Sequence, residues 1–593
     1  MKESALHLKN RQIFEIFVLF WLSFGWLALL ATLLGIFYNA LFIAYFFLGA
    51  ITFSIVLVLN KEKIELNRFS FLVIAFSLLA VFIFSYYTTP TVFSGRDQGS
   101  FSEAAIRLSQ NHQLKFSTDA SREFFKIYGP GKALNFPGFD YTRDGQLTTQ
   151  FPLGYISWLA AFYGIFGLNG LVIANGVSFF IFLLSFYAVS RHYIKSRAAF
   201  ISLIFIVSSF VFSWFFKFTV SENLALMLLW FGIYEFLRFL KNENRCHFFY
   251  FFSAMGLLAF SRIEALAFLA VTFAILLVRN KKQNESIFVK IGKRNLALIA
   301  AAVVLYGINI VVSIGAYTAL LKGALKPLFF LASGVDGSNS IFMPLFVLKI
   351  FMVYALLGFF AIGIIGVIYF FKRRNFSILI PFFIVLPTFI YMLQPAISMD
   401  HPWMLRRFLF AIIPASILYT AIFLENFLKK NTLFYVIFAT LLFTNLLALA
   451  PYIKFSPNKD LLAQVEKISE NFAASDLVLV DQKATGDNWS MMTGPMSFLY
   501  GKQVVFFFYP HDFLKIKRAK FNGIFLIIPD DSLDLYRQSG LLEKLTPEKN
   551  YEIKTVLLDS ILADKSNLTP SEIYLPEKKK ISVYGKIYLA EKQ

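Results

Sequence analysis

Long apolar runs recur along this chain, at 14–37, 40–59, 70–89, 170–190, 198–216, 222–240, 295–318, 345–370, 376–393, 407–424 and 432–450. Each is about as long as a helix needs to be to cross roughly 30 Å of hydrocarbon. In lipid the backbone must satisfy its own hydrogen bonds, so such runs fold as helices. Hydrophobic residues make up 58% of the sequence and charged residues only 16%, too few to coat a soluble fold. The first run, from near Phe14, is longer than a signal-peptide core and lacks a small-residue cleavage site, so it reads as a retained span. The 75 phenylalanines read as lipid-facing bulk. A single cysteine, Cys246, excludes an internal disulfide and any CxxC redox or zinc pattern.

Charge sets the expected topology. From Pro451 onward there are 19 basic and 18 acidic residues, which leaves 37 against 18 for the apolar part. That excess fits topology signals and anionic lipid and implies no nucleic acid. Basic clusters lie at Lys2/Lys9/Arg11, Lys61/Lys63/Arg68, Arg191/Lys195/Arg197, Lys241/Arg245, the run NKKQNESIFVKIGKR, Lys372/Arg373/Arg374 and Lys429/Lys430. All stay cytoplasmic only if 247–279 is a hairpin of two short helices whose tip, with Arg262 and Glu264, points outward. The same rule makes 152–167 a juxtamembrane or re-entrant helix. The expectation is an α-helical polytopic membrane protein of about 13 spans in a cell membrane, N-terminus in and C-terminus out. The outer side then holds the loops 91–169, 319–344 and 394–407, the Lys217–Glu222 turn, and everything after Pro451. That last part alternates helical stretches (DLLAQVEKISENFA, DDSLDLYRQSG) with short β runs (DLVLVD, KQVVFFF, GIFLIIPD, YEIKTVLL, ISVYGKIYLA). The alternation predicts a soluble extracytoplasmic α/β domain over 451–593, following a membrane domain over 1–450.

The polar stretch 91–150 is where chemistry is most expected, and it carries GRDQGSFSEAAIRL. Phe101, Ala104, Ala105 and Leu108 are spaced as one face of an amphipathic surface helix beginning at Asp97. Spacing alone reads Asp97 as a helix cap. Its place at the start of a long loop on the membrane face suits a general base for an acceptor hydroxyl instead. Arg406 and Arg407, in HPWMLRRF, fall on the outer side against the positive-inside rule. Snorkelling to lipid is one reading; a guanidinium grip on a phosphate is the other. Glu222 follows Ser221 at the start of a span, at the edge of a possible capping box. Arg262 and Glu264 either pair structurally or line a cavity. Asp400 and His401 are adjacent, yet with six histidines and no HxH or HxxxH spacing no metal and no cofactor is expected, although a divalent ion is chemically possible there. Trp403 and Tyr155 read as interfacial aromatics.

The order of RDQGSFSEAAIRL (96–108), QFPLGYISWLAAFYGIFG (150–167), SENLALMLLW (221–230), LLAFSRIEALAFLA (257–270) and HPWMLRRF (401–408) resembles the GT-C glycosyltransferases. The likeness is to their bacterial branch of protein O-mannosyltransferases and lipid A aminoarabinose transferases, and it covers roughly the membrane half. Gln98 stands where members often carry a second acid, Phe151-Pro152-Leu153 replaces a double proline, and two further spans precede the loop. The resemblance implies transfer of a sugar from a polyprenyl-phosphate donor to a protein, lipid or glycan acceptor on the outer face. It leaves Asp97 as the matching catalytic acid. It implies that Arg406, Arg407 and Arg262 bind the donor phosphate, and that Arg96, Glu103, Glu222, Glu264, Asp400 and His401 support the site or face the acceptor. The rival class is a transporter or lipid-linked sugar flippase, for which paired, broken helices in two related halves are expected; no matching second half is found.

Overall fold

The computed structural model describes residues 6–59, 68–93, 96–283, 287–312, 318, 343–393, 400–427, 432–486, 491–517, 520–559 and 574–591. The expected outer loop 319–344 lies almost wholly outside the described residues. So do the basic residues Lys61, Lys63, Lys429 and Lys430.

The chain is mostly helical, with a C-terminal sheet. Its first helices are α1 (Leu6–Leu34), α2 (Asn39–Leu59), α3 (Arg68–Tyr86), α4 (Asp97–Asn111), α5 (Asp119–Tyr128), α6 (Leu153–Phe166), α7 (Asn169–Tyr193), α8 (Ser196–Ser208), α9 (Phe210–Phe216), α10 (Ser221–Asn242), α11 (Arg245–Ala259) and α12 (Glu264–Gln283). Among the described residues, six helices are long and apolar enough to cross a membrane, or eight when two bent pairs count as one span each. One bent pair is α8 with α9, which turn by 58° at Ser209; the other is Trp403–Leu409 with Ile412–Phe427, at 57°. The run expected as one span over 345–370 is two helices, Met343–Val353 and Leu357–Lys372, parted at Ala355 with φ +59°. The apolar sequence continues through the breaks at Ala355 and residues 410–411, so hydropathy cannot register them, while the first falls on the serine pair Ser208-Ser209 within an apolar run.

The stretch 247–279 forms the expected pair of helices. α11 runs up to a tip at residues 260–263, where the Ser261 and Arg262 amides donate to the Leu258 carbonyl at 2.9 and 2.8 Å, and α12 runs back. α6, at 14 residues about 21 Å long, is too short for a full crossing. It lies buried against α1, α4 and α7. Gly154 lets it meet the hairpin tip. Its amide donates to the Phe260 carbonyl at 2.8 Å, and a Cβ there would stand 2.3 Å from Ser261 Oγ.

Strands β1 (Gly131–Lys132), β2 (Phe139–Tyr141) and β3 (Leu147–Thr149) form a small sheet within the 91–150 insert. The C-terminal sheet has strands β4 (Leu477–Asp481), β5 (Gln503–Phe507), β6 (Ile524–Pro529), β7 (Leu545–Leu558) and β8 (Lys578–Ala590) in the order β5-β4-β6-β8-β7. β4 pairs in parallel with β5 and β6, and β8 is antiparallel to both its neighbours. Strand alternation sends Val478, Val480, Ile527 and Ile587 into the main core. Leu477, Leu479, Leu526 and Ile528 face a second core that includes Ala120 and Phe124 of α5. Polar contacts tie the insert to the C-terminal part: Asn135 Nδ2 donates to the carbonyl of Phe506 in β5 at 2.6 Å, and Gln110 Nε2 to the carbonyl of Phe498, at the end of the helix Thr493–Phe498, at 2.8 Å. Lys217, after α9, donates to the carbonyls of Tyr452, Ile453 and Phe455 at 2.9, 3.0 and 2.5 Å, anchoring the entry to the C-terminal part. Burial, with Lys578 nearby, pushes the Lys217 ammonium down to about 7.

α4 departs from the expected surface helix. Residues on all its sides are buried, because the C-terminal part covers its polar face: Arg107 Nη2 donates to Ser497 Oγ at 2.6 Å. Its partners lie some 390 positions away in sequence, beyond the reach of a local periodicity.

Candidate active site at one end of the helical bundle

α4 begins at Asp97 after Arg96, an extended residue with no side-chain cap bond. Asp97 is thus the first residue within the helix and not its cap. A carboxylate there lies beside the positive end of the helix dipole. It does not bond its own helix, as a capping side chain would. Its Oδ2 accepts from Arg406 Nη2. Glu222 likewise sits within α10, whose N-cap Val220 makes no side-chain bond, so the capping-box reading gives way to an ionic one.

From Asp97 the structure builds an alternating chain of acids and arginines. Arg406 Nε lies 3.7 Å from Glu222 Oε1. The same oxygen faces Arg262 Nη1 at 2.7 Å, and Arg262 Nη2 reaches Glu264 Oε1 at 2.6 Å. Arg407 Nη1 stands 3.9 Å from Glu264 Oε1. Tyr391 donates its hydroxyl to Glu264 at 2.5 Å. Five separate segments meet here: the start of α4, the start of α10, the hairpin tip, the Ile390–Leu393 helix with Tyr391, and the Arg406/Arg407 turn. Buried charges survive only when paired, which the alternation achieves. Aromatic faces hold the guanidinium groups. Trp403 lies between Arg96 at 5.2 Å and Arg406 at 4.7 Å, Phe410 lies 4.5 Å from Arg262, and Tyr391 lies 5.5 Å from Arg407. Trp403 is therefore part of the site and not an interfacial anchor. Tyr155, fully buried and bonded to Asn175 at 2.8 Å, is no interfacial residue either.

Exposure grades the chain. Asp97 keeps 37% of its side-chain surface open and Arg407 23%, while Arg406 keeps 6%, Arg262 4% and Glu222 2%. The Nε atoms of Arg262, Arg406 and Arg407 are buried and have no hydrogen-bond partner among the described residues. Arg96 pairs with Asp400 at 2.7 Å beside the same tryptophan. His401 is buried with its Nδ1 2.9 Å from the Tyr354 hydroxyl, and burial, opposed by Asp400, pushes its imidazole down to about 4. It is therefore a neutral ring at pH 7.

Of the residues singled out in the sequence, Asp97, Glu222, Arg262, Glu264, Arg406 and Arg407 form one chain of contacts. Arg96, Asp400 and His401 flank it. Glu103 stands apart: it pairs with Arg107 at 3.9 Å within α4, and burial, partly offset by Arg107, raises its carboxyl to about 7. Tyr391 and Tyr354 escaped sequence reasoning because each sits in an apolar run with no motif around it.

One trio of metal-capable side chains occurs among the described residues. The ligand atoms of Glu15, Glu235 and His247 lie within 4.8 Å of one another. Arg238 shares that cluster and pairs with Glu15, so a guanidinium already supplies positive charge there. Glu235 is thirteen residues beyond Glu222 on α10, about 20 Å along the helix axis, so this cluster belongs to the opposite end of the bundle.

No known sequence family and no curated protein matches the chain. Among solved structures it is similar to ArnT from Cupriavidus metallidurans in the apo state, at TM-score 0.49 and 11% identity, over 87% of this chain and 98% of that one. It is similar to the same protein bound to undecaprenyl phosphate, at TM-score 0.47 and 10% identity, over 86% and 97%. It is also similar to the archaeal oligosaccharyltransferase AglB from Archaeoglobus fulgidus, in complex with an inhibitory peptide and a dolichol-phosphate, at TM-score 0.43 and 14% identity, over 78% and 70%. At these scores the likeness lends no weight to a particular activity, and the functional reading rests on the site's own residues.

Proposed function

We propose that the chain is a membrane glycosyltransferase of the GT-C kind. It moves a sugar from a polyprenyl-phosphate donor to an acceptor hydroxyl at the outer face of the cell membrane. The observation that carries the reading is the pairing of a half-exposed carboxylate, Asp97, with a row of largely buried arginines at the end of an apolar bundle. A lipid-linked phosphate presents its anion at the depth where these arginines lie, and their orphaned Nε donors suit phosphate oxygens. The aromatic faces of Trp403 and Tyr391 line the same place.

In this mechanism Asp97 accepts the acceptor's hydroxyl proton. The acceptor oxygen bonds to the anomeric carbon from the face opposite the phosphate. The bond from that carbon to the phosphate oxygen breaks, and its electron pair leaves on the phosphate, which departs as polyprenyl phosphate. The sugar inverts. Arg406 and Arg407, held by Glu222 and Glu264, stabilise the negative charge that grows on the leaving phosphate. Arg262 ties both acids together and acts through them. About 13 crossings, with the N-terminus inside and the 91–169 and 451–593 segments outside, is the topology that brings acceptor and donor together there.

Binding tests the phosphate half of the reading. Native mass spectrometry of the full chain with undecaprenyl phosphate should show a one-to-one complex in the wild type that weakens in Arg407→Ala. The loss expected for a charged hydrogen bond is about 1.5–3 kcal/mol. Equal lipid retention by both proteins would count against the arginine row as the phosphate site.

A further inference from the structure

We propose that Arg406 withholds Asp97 until a lipid phosphate draws it away, so that the donor must bind before the acceptor. The inference rests on the glycosyltransferase reading and deepens it. Asp97 is the most exposed acid in the ionic chain, the one a substrate approaching from water meets first. Yet among the described residues its carboxylate is held by Arg406, whose Nη2 contacts Oδ2. A general base must be within hydrogen-bond reach of the proton it takes, and the guanidinium occupies that side of Asp97.

Arg406 is placed to let go. Its Nε lies 3.7 Å from Glu222, and its guanidinium rests 4.7 Å from the Trp403 ring centre. Glu222 cannot follow a movement, being buried and fixed by Arg262 at 2.7 Å. Arg406 Nε makes only that long ionic contact and no hydrogen bond among the described residues, so the one close bond an incoming phosphate must displace is that of Nη2 to Asp97. Swinging the outer nitrogens from Asp97 towards a phosphate keeps both the Glu222 contact and the tryptophan face. The neighbouring Arg407, loosely paired at 3.9 Å, is the natural first contact for the incoming anion. Once the phosphate holds Arg406, Asp97 is free for the acceptor hydroxyl. The departing polyprenyl phosphate carries more negative charge than the diester it came from, so it grips Arg406 more firmly. Arg406 returns to Asp97 when that lipid leaves. Arg406 is thus both a phosphate contact and the positioning residue of the base.

Carboxyl labelling reads this directly. The full-length protein in lipid nanodiscs is treated with a water-soluble carbodiimide and an amine, and Asp97 modification is scored by peptide mass spectrometry against the exposed Glu543. Adding undecaprenyl phosphate should raise Asp97 labelling about fivefold, because the partly exposed carboxylate then loses the guanidinium that holds it. Arg406→Gln should label strongly without lipid and respond little to it. A merely structural Arg406 would give no lipid-dependent change. Lipid binding is measured on the same sample by native mass spectrometry. Binding with unchanged or reduced Asp97 labelling in the wild type overturns the gate and leaves the donor reading standing. Absence of binding overturns the donor reading and the gate with it. The wild-type comparison decides the matter even where Arg406→Gln does not fold.

Discussion

Removing Arg262 should expose what the ionic chain costs when it is broken. The side chain is 4% exposed and bridges Glu222 at 2.7 Å and Glu264 at 2.6 Å, with Ser221 Oγ at 3.2 Å. Arg262→Met keeps the apolar stem against Phe410 and deletes the charge. Two buried carboxylates then lose their shared partner. Taking one member from a buried pair destabilises by about 3–5 kcal/mol. Here Glu222 retains Arg406 at 3.7 Å, and Glu264 retains Tyr391 at 2.5 Å and Arg407 at 3.9 Å. The lower end, about 3 kcal/mol, is therefore expected, or roughly a hundredfold in the folding equilibrium. The control is the triple variant Arg262→Met, Glu222→Gln, Glu264→Gln, which removes the stranded charges and should recover most of the loss. Both proteins should be inactive: the single variant removes the guanidinium that fixes Glu222 and Glu264, and the triple variant also removes the charges that pair with Arg406 and Arg407. The assay is unfolding in graded denaturing detergent, followed by tryptophan fluorescence. A single variant as stable as wild type, or a triple variant no better than the single, would refute the view that this row is an electrostatically balanced unit.

Three further outcomes are expected. Asp97→Asn keeps a hydrogen-bond acceptor for Arg406, so lipid binding and folding should survive while turnover falls about 10²-fold or more; transfer near the wild-type rate would point to another base. Glu103, raised to about 7, binds more protons folded than unfolded, so its contribution to stability is full below its ordinary value of 4.5 and is lost as pH rises through 7. The loss is on the order of 3 kcal/mol, and Glu103→Gln should flatten that part of the pH–stability curve; an unchanged slope contradicts the assignment. Cys246 is exposed at the end of the bundle away from Asp97, so a membrane-impermeant maleimide should label it only after cell lysis, whereas Tyr584→Cys in a Cys246→Ser background should label in intact cells. The reverse pattern would invert the topology.

Much of the site was legible because charge in an apolar chain is conspicuous. Arg262 and Glu264 stood out once the positive-inside rule demanded a hairpin, and Arg406 and Arg407 stood out by violating it. Short apolar β runs such as LVLVD and IFLIIP, alternating with helix-like stretches, marked the C-terminal sheet. What the sequence withheld is non-local. Nothing near Asp97 tells that its partner lies 309 residues away at Arg406. Nothing in the amphipathic pattern of α4 tells that residues near 497 cover its polar side. The breaks at Ala355 and residues 410–411 are as apolar as the helices they divide, so composition carries no trace of them, and the break at Ser209 is marked only by two serines in an apolar run. Tyr391 looks like any aromatic residue of a span until Glu264 is placed beside it.

The central claim is that Asp97 drives sugar transfer from a lipid phosphate. The measurement that meets it most directly is incubation of the full chain, in membranes, with radiolabelled polyprenyl-phosphate sugars. Label leaving the lipid and any label entering protein, lipid or glycan fractions are both scored, for wild type and Asp97→Asn. The account predicts that the wild type leaves polyprenyl phosphate behind and passes label to an acceptor fraction, while the variant binds the lipid and transfers at about 1% of that rate or less. Intact donor crossing the bilayer without loss of its sugar, or equal transfer by both proteins, would contradict it.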